Sequence, residues 1–169
     1  IPSLRGGGAE RVMVILANGL AERGFKVDLV VAHGEGPYRA EVSPSVRVID
    51  LRAKRVSTSL PGLVLYLRRN NPRAMLSAVS HANVIAVAAK TIARSNVRLI
   101  VSEHNNLSQS KRGSNSTAGR VVVALMSWAY RRADGVVAVS EGVADDLAKT
   151  LPFPRSRIDV VYNPVVTPG

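Results

Sequence analysis

Residues 6–31, GGGAERVMVILANGLAERGFKVDLVV, decide the fold. Three glycines open the stretch. Val12, Ile15, Leu16 and Leu20 then recur at helical spacing, with Arg11, Asn18, Glu22 and Arg23 between them. That period lines the apolar side chains along one face and predicts an amphipathic helix from about Ala9 to Arg23. Gly24 stands where a left-handed C-terminal cap is wanted. Lys26 to Ala32 (KVDLVVA) is short and rich in β-branched residues, which predicts a strand.

The same alternation continues outward. Val46–Leu51, Arg73–Ser80, Arg98–Ser102, Gly135–Val139 and Ile158–Tyr162 read as strands. Leu60–Arg69, with Pro61 in its first turn, Asn83–Arg94, Arg120–Arg132 and Glu141–Leu151, capped by Ser140, read as helices. His33–Pro37 reads as a loop, and Leu107–Gly119, rich in Ser, Asn, Gly, Lys and Arg, as a mobile one. Several strands are apolar on both faces, as a sheet covered on both sides requires. The expected fold is Rossmann-like α/β, a parallel sheet with helices on both faces. A glycine loop of this kind normally follows a strand, yet only Ile1–Leu4 precede it, and Asn163-Pro164 breaks the last strand near the other end. Residues 1–169 are therefore expected to be one domain truncated at both ends. The first, central strand would be missing, leaving a gap or a short residual strand.

Composition narrows the classes of function. The 169 residues carry 23 Lys plus Arg against 12 Asp plus Glu, a net charge of +11, and 46% are apolar. The apolar share argues against wholesale disorder. The chain has no cysteine, which excludes disulfides and thiolate metal sites and fits a cytoplasmic setting. No apolar run approaches the roughly 18 residues needed to span a bilayer, and Ile1-Pro2-Ser3-Leu4-Arg5 does not open a signal peptide. The cationic excess suggests an anionic partner, whether phosphate, nucleic acid or an acidic membrane face; general solubility is the plainer reading. The cations fall into small groups: Arg52, Lys54 and Arg55; Arg68, Arg69 and Arg73; Lys111 and Arg112; Arg131 and Arg132; Arg155 and Arg157. Nucleic acid is disfavoured, because Trp128, Phe25, Phe153 and the four tyrosines form no series among these charges.

Two places can carry chemistry. No Gly-Lys-Ser/Thr follows the glycine run, and its spacing is not that of the dinucleotide fingerprint. Gly6–Gly8 can still admit a close approach to the helix N-terminus, where amides and dipole favour an anion. A tight turn alone explains the glycines equally well. Glu103-His104-Asn105 lies just past a predicted strand, where ligands of open parallel sheets bind. His104 can donate to a sugar hydroxyl or steady a developing charge, with Glu103 as its partner or that of a cation. A capped or satisfied loop histidine is the plainer reading. His33 and His81 have no partner at ligand-like spacing and read as surface or structural. No His/Asp/Glu cluster implies a metal, and no Ser-His-Asp signature stands out.

Taken in order, the segments resemble a known family. GGGAERVMVILANGLAERGFKVDLVV, NPRAMLSAVSHANVIAVAAK, RLIVSEHNN, YRRADGVVAVSEGVADDL and IDVVYNPV are similar to successive blocks of the N-terminal domain of retaining GT-B glycosyltransferases of the family-4 type. The resemblance covers nearly the whole chain. It implies the acceptor-side half of a two-domain enzyme that transfers a sugar from a nucleotide-diphosphate sugar in the cleft between halves. Its glycine loop maps onto Gly7 and Gly8, near the donor phosphate or sugar. Its site histidine maps onto His104, flanked by Glu103 and Asn105, with Lys111 and Arg112 on the acceptor side.

The same resemblance implies further expectations. No cofactor is needed beyond the nucleotide-sugar co-substrate, since amides and cations can stabilise the leaving diphosphate. The partners implied are a C-terminal donor domain with an E-x7-E segment, outside this sequence, and a lipid-linked or polysaccharide acceptor. Charge adds an anionic membrane surface met by the Leu60–Arg69 helix, hence a cytoplasmic protein peripheral at the inner face. The isolated domain is expected to be inactive. One departure concerns the family hinge, often N-x-V-D, which here reads Asn163-Pro164-Val165-Val166 and lacks the acidic residue. The alternatives are a nucleotide-sugar epimerase of the same architecture and a non-catalytic basic module binding RNA or another polyanion.

Overall fold

The computed structural model describes residues 1–110 and 117–164. In chain order the elements are α1 (Gly8–Glu22), β1 (Asp28–Val31), β2 (Arg47–Asp50), α2 (Leu60–Asn70), β3 (Ala74–Ala78), α3 (Ser80–Ala93), β4 (Arg98–Glu103), a helical turn α4 (Leu107–Ser110), α5 (Thr117–Arg132), β5 (Gly135–Ala138), α6 (Glu141–Thr150) and β6 (Ile158–Val160). Short 3-10 turns at Pro37–Glu41, Val56–Ser59 and Arg155–Arg157 connect them.

The expected signals act where the sequence places them. Gly24 takes φ +84 after α1, and its amide and that of Phe25 close onto Ala21 and Leu20. Ser140 caps α6 by accepting from the Val143 amide at 3.2 Å. Differences lie at the ends of elements. The strand expected over Arg73–Ser80 stops at Ala78, and α3 begins at Ser80 rather than Asn83. Within the expected loop Leu107–Gly119, Leu107–Ser110 is helical and α5 already begins at Thr117. The remainder of that loop, 111–116, lies outside the described residues.

All strand pairs are parallel. β3, β4, β5 and β6 form one sheet in that order, with Val101 beside both Ser77 and Val136. β1 and β2 form a second sheet, Leu29 beside Val48. Alternate residues of β1 serve opposite layers. Leu29 and Val31 pack with Val14 and Ala17 of α1, whereas Val30 packs with Leu63 and Leu67 of α2. Period-two alternation therefore requires a helix on each face. The larger core joins α3, α5 and α6 around β4 and β5, with Tyr130, Leu99, Val101 and Leu147 almost fully enclosed.

Ile1–Ser3 run beside the end of β1. The Ala32 and His33 amides donate to the Ile1 and Pro2 carbonyls at 3.2 Å, and Ser3 bridges His33 in parallel sense. The Ile1 nitrogen donates to the Val30 carbonyl at 3.0 Å. Residues 1–3 thus lie along one edge of β1 through a single isolated bridge and form no strand of their own. Leu4 behind them is fully enclosed. Gly36, at φ +143, makes that enclosure possible, because a Cβ there would strike the Leu4 carbonyl.

Candidate functional site

The carboxyl ends of the strands deliver their next residues to one side of the sheet. A cavity of about 510 Å³ opens there. α1 contributes Gly7, Gly8 and Glu10, the turn into α3 contributes Val79 and His81, and the segment after β4 contributes His104 and Asn105. Asn163, just past β6, closes another part of the wall. Gly7, Gly8, His104 and Asn105 are therefore brought together. Glu103 is not on the wall. Lys111, Arg112, Val165 and Val166 lie outside the described residues.

The glycines divide the work unevenly. Gly6, at φ +123, is the one whose backbone demands glycine. Gly7 is the extended N-cap of α1, and a Cβ on it would meet the Glu10 carboxylate. Gly8 faces open space, with nothing within 4 Å of a built Cβ. Glu10 sits in the first turn of α1 and accepts from the Ser3 hydroxyl at 2.9 Å. The positive end of α1 is thus answered by a carboxylate of the chain itself, which an incoming phosphate would have to displace or bypass. The unobstructed approach is over Gly8.

His104 is half-buried, its Nε2 lying 3.1 Å from the Ser102 hydroxyl. Burial alone lowers its pKa, so it is a neutral imidazole near pH 7. A neutral ring can exchange hydrogen bonds with a hydroxyl; it does not act as a fixed cation. His81 lies opposite, open to solvent on one side and partly desolvated on the other. Burial lowers its pKa, against the pull of Glu10. His81, which has no partner at ligand-like spacing in the sequence, nevertheless lines the cavity. What brings it there is the turn at Val79, whose φ of +79 is a strained conformation for a β-branched residue.

Beneath the wall, Glu103 is 1% exposed. Its carboxylate accepts from the Ser80 hydroxyl at 3.1 Å, from Asn83 Nδ2 at 3.3 Å and from the Tyr130 hydroxyl. Burial pushes its pKa up, and these donors, with the His104 amide, push back. Burial beside this carboxylate also holds the Tyr130 phenol protonated. Asn83 Nδ2 also donates to the Ser102 carbonyl at 2.9 Å and lies 3.1 Å from the Tyr130 hydroxyl, so three acceptors surround its amide nitrogen and fix its orientation. The network ties the first turn of α3 to the end of β4 and to α5. Among the described residues, no group of three His, Asp or Glu side chains could hold a metal ion.

Fold and cavity together define a Rossmann-like domain with its cavity beyond the carboxyl ends of its strands, where open parallel sheets bind ligands. The sequence matches the profile of Glycosyltransferase Family 4 over residues 6–167, and the chain belongs to that family. No curated protein matches it by sequence. Among solved structures it is similar to Anabaena HepE, crystallised with UDP, at 16% identity and a TM-score of 0.69, covering 96% of this chain and 44% of that one. It is similar to the lipopolysaccharide outer core galactosyltransferase WaaB at 14% identity and a TM-score of 0.71, again over 96% and 44%. A Listeria monocytogenes protein provisionally assigned as a UDP-N-acetylglucosamine 2-epimerase follows at 14% identity and a TM-score of 0.61, over 92% and 43%. The chain spans less than half the length of each. Its fold is that of the N-terminal half of a GT-B glycosyltransferase.

Proposed function

We propose that the whole protein transfers a sugar from a nucleotide-diphosphate sugar to a hydroxyl of a lipid-linked or polysaccharide acceptor, with retention at the anomeric carbon. The observation that carries this reading is the meeting of Gly8 and His104 on one cavity in a chain of this family. The bond from anomeric carbon to diphosphate breaks, a bond to the acceptor oxygen forms, and the hydroxyl proton leaves with solvent or the diphosphate. The α1 amides at Gly8 approach the donor's phosphate or sugar. His104, as a neutral imidazole, hydrogen-bonds the transferred sugar or the developing charge. Asn105 adds a polar contact, and Lys111 and Arg112 serve the acceptor side. A second half supplies the rest of the donor pocket, so residues 1–169 alone catalyse no transfer and bind nucleotide weakly at best. The protein works in the cytoplasm.

Gly8→Ala in the full protein tests the assignment. An alanine at this first helical position is neutral or stabilising by about 0.5–1 kcal/mol, and the open space around it predicts an unchanged fold. The donor's KM should nevertheless rise at least about tenfold, a cost near 1.4 kcal/mol. An unchanged KM would remove the donor from α1. The likeness to the epimerase favours one other reading, isomerisation of the nucleotide sugar without an acceptor. Product analysis with and without acceptor separates the two, because epimerisation leaves the sugar on its nucleotide.

A further inference from the structure

The outer face of α5 is unlike that of the other helices. Met126, Ala129, Tyr130 and Ala133 form its core-facing stripe. A second apolar stripe, Val121, Leu125 and Trp128, recurs at the same helical spacing on the opposite side. Val121 is 52% exposed and Leu125 48%, with Val122 at 51% on the flank. Core packing explains the first stripe; of the second, Trp128 is partly buried and also touches the core, whereas Val121 and Leu125 stand outside it. By contrast, α2 exposes Leu65 alone of its large apolar side chains.

Charge singles out the same surface. Between Glu103 and Asp134 the sequence holds five cations, Lys111, Arg112, Arg120, Arg131 and Arg132, and no carboxylate side chain. Arg120, Arg131 and Arg132 edge a groove of about 670 Å³ between Trp128 and Pro152. None of the ion pairs among the described residues uses any of these three. Arg131 reaches the Pro152 carbonyl at 2.8 Å, and the Arg132 guanidinium lies 5.4 Å from the centre of the Trp128 ring. Protruding aliphatic side chains, one indole and a rim of arginines match an interface that is apolar within and anionic at its surface. A second copy of this face would set arginines against arginines, which disfavours self-association.

We propose that α5 is a membrane-contacting helix. Val121, Leu125 and Trp128 enter the headgroup region of an anionic phospholipid surface, and Arg120, Arg131 and Arg132 pair with its phosphates. This rests on the α5 surface and not on the sugar-transfer reading. The face assigned is α5 rather than the helix Leu60–Asn70.

Trp128 is the only tryptophan of residues 1–169, so in this chain its fluorescence reports on this face; in the full protein the lipid-quenching comparison between variants carries the test. Vesicles of phosphatidylglycerol and phosphatidylcholine are titrated against the chain and, separately, the full protein. The expected result is a blue shift with anionic vesicles, quenching by lipids brominated high on the acyl chain, and reversal at high salt. Val121→Ser with Leu125→Ser should weaken binding at least tenfold, and Leu65→Ser should leave it unchanged. Circular dichroism checks the fold of each variant, and quenching of the unaltered protein does not depend on them. Four results would overturn the proposal: no spectral shift on anionic vesicles, no quenching by brominated lipid, equal binding to phosphatidylcholine, or a shift that follows protein concentration without lipid.

Discussion

Glu103 has no cation as a neighbour in its hydrogen-bond set; every partner is a donor. A buried carboxylate held this way loses much when one donor goes, because the desolvation cost stays. Tyr130→Phe should therefore destabilise the fold by about 1–3 kcal/mol in urea unfolding. A change within experimental error would mean that the phenol does not support the carboxylate. His104 and Glu103 also make opposite contributions to stability as pH changes. The His104 pKa is lowered, so the unfolded chain takes up a proton first as pH falls below about 6.5. Its share of stability is present above that pH and is lost on acidification. Glu103 is raised, so its burial costs most when it is ionised, and that cost is relieved as pH falls through the folded pKa. Replacing His104 by Asn removes one of these slopes. The drop in Tm from about pH 7 to about pH 5 should be smaller in His104→Asn than in the parent, and an equal drop would contradict the shift.

At the scale of elements, Gly24 and Gly36, both at positive φ, serve different ends, the first closing α1. Gly36 holds the turn against the Leu4 carbonyl. Gly36→Ala should cost about 1–3 kcal/mol or more, because a positive φ and a backbone clash act together. Thermal denaturation reads this directly, and an unchanged Tm would mean that the turn relaxes freely. The helices and strands around these glycines were legible because apolar period and caps act locally, as α1 with Gly24 and α6 with Ser140 illustrate. The position of His104 was legible for a related reason: parallel strands send their next residues to one side. Val79 and His81 were not legible. Nothing in the residues SAVSHAN announces a valine at φ +79, and only that turn sets His81 opposite His104. The partners of Glu103 were hidden by distance, Asn83 lying 20 residues before it and Tyr130 27 after it. On α5 the sequence shows apolar residues around most of the helix, and packing alone reveals which stripe is left outside.

The whole molecule combines a wound α/β layer structure with a strong cationic excess, +11 over 169 residues. The charge does not select the fold; it selects what approaches it. In the readings proposed above, two surfaces would receive anions by different means, the cavity through helix amides and the α5 face through arginines. No helix among the described residues is long and apolar enough to cross a membrane. The family match over residues 6–167 and the likeness to HepE and WaaB give residues 1–169 the fold of the N-terminal half of a GT-B enzyme. The assignment of the cavity to sugar transfer depends on His104 touching the reacting sugar. The direct test is the rate of nucleoside diphosphate release by the full protein, supplied with a panel of nucleotide sugars and a polyprenyl-phosphate-linked acceptor. For His104→Ala, kcat should fall by about 100-fold or more, while loss of the Ser102 contact costs the fold only about 0.5–1.5 kcal/mol. An unchanged kcat in a folded variant would contradict the account.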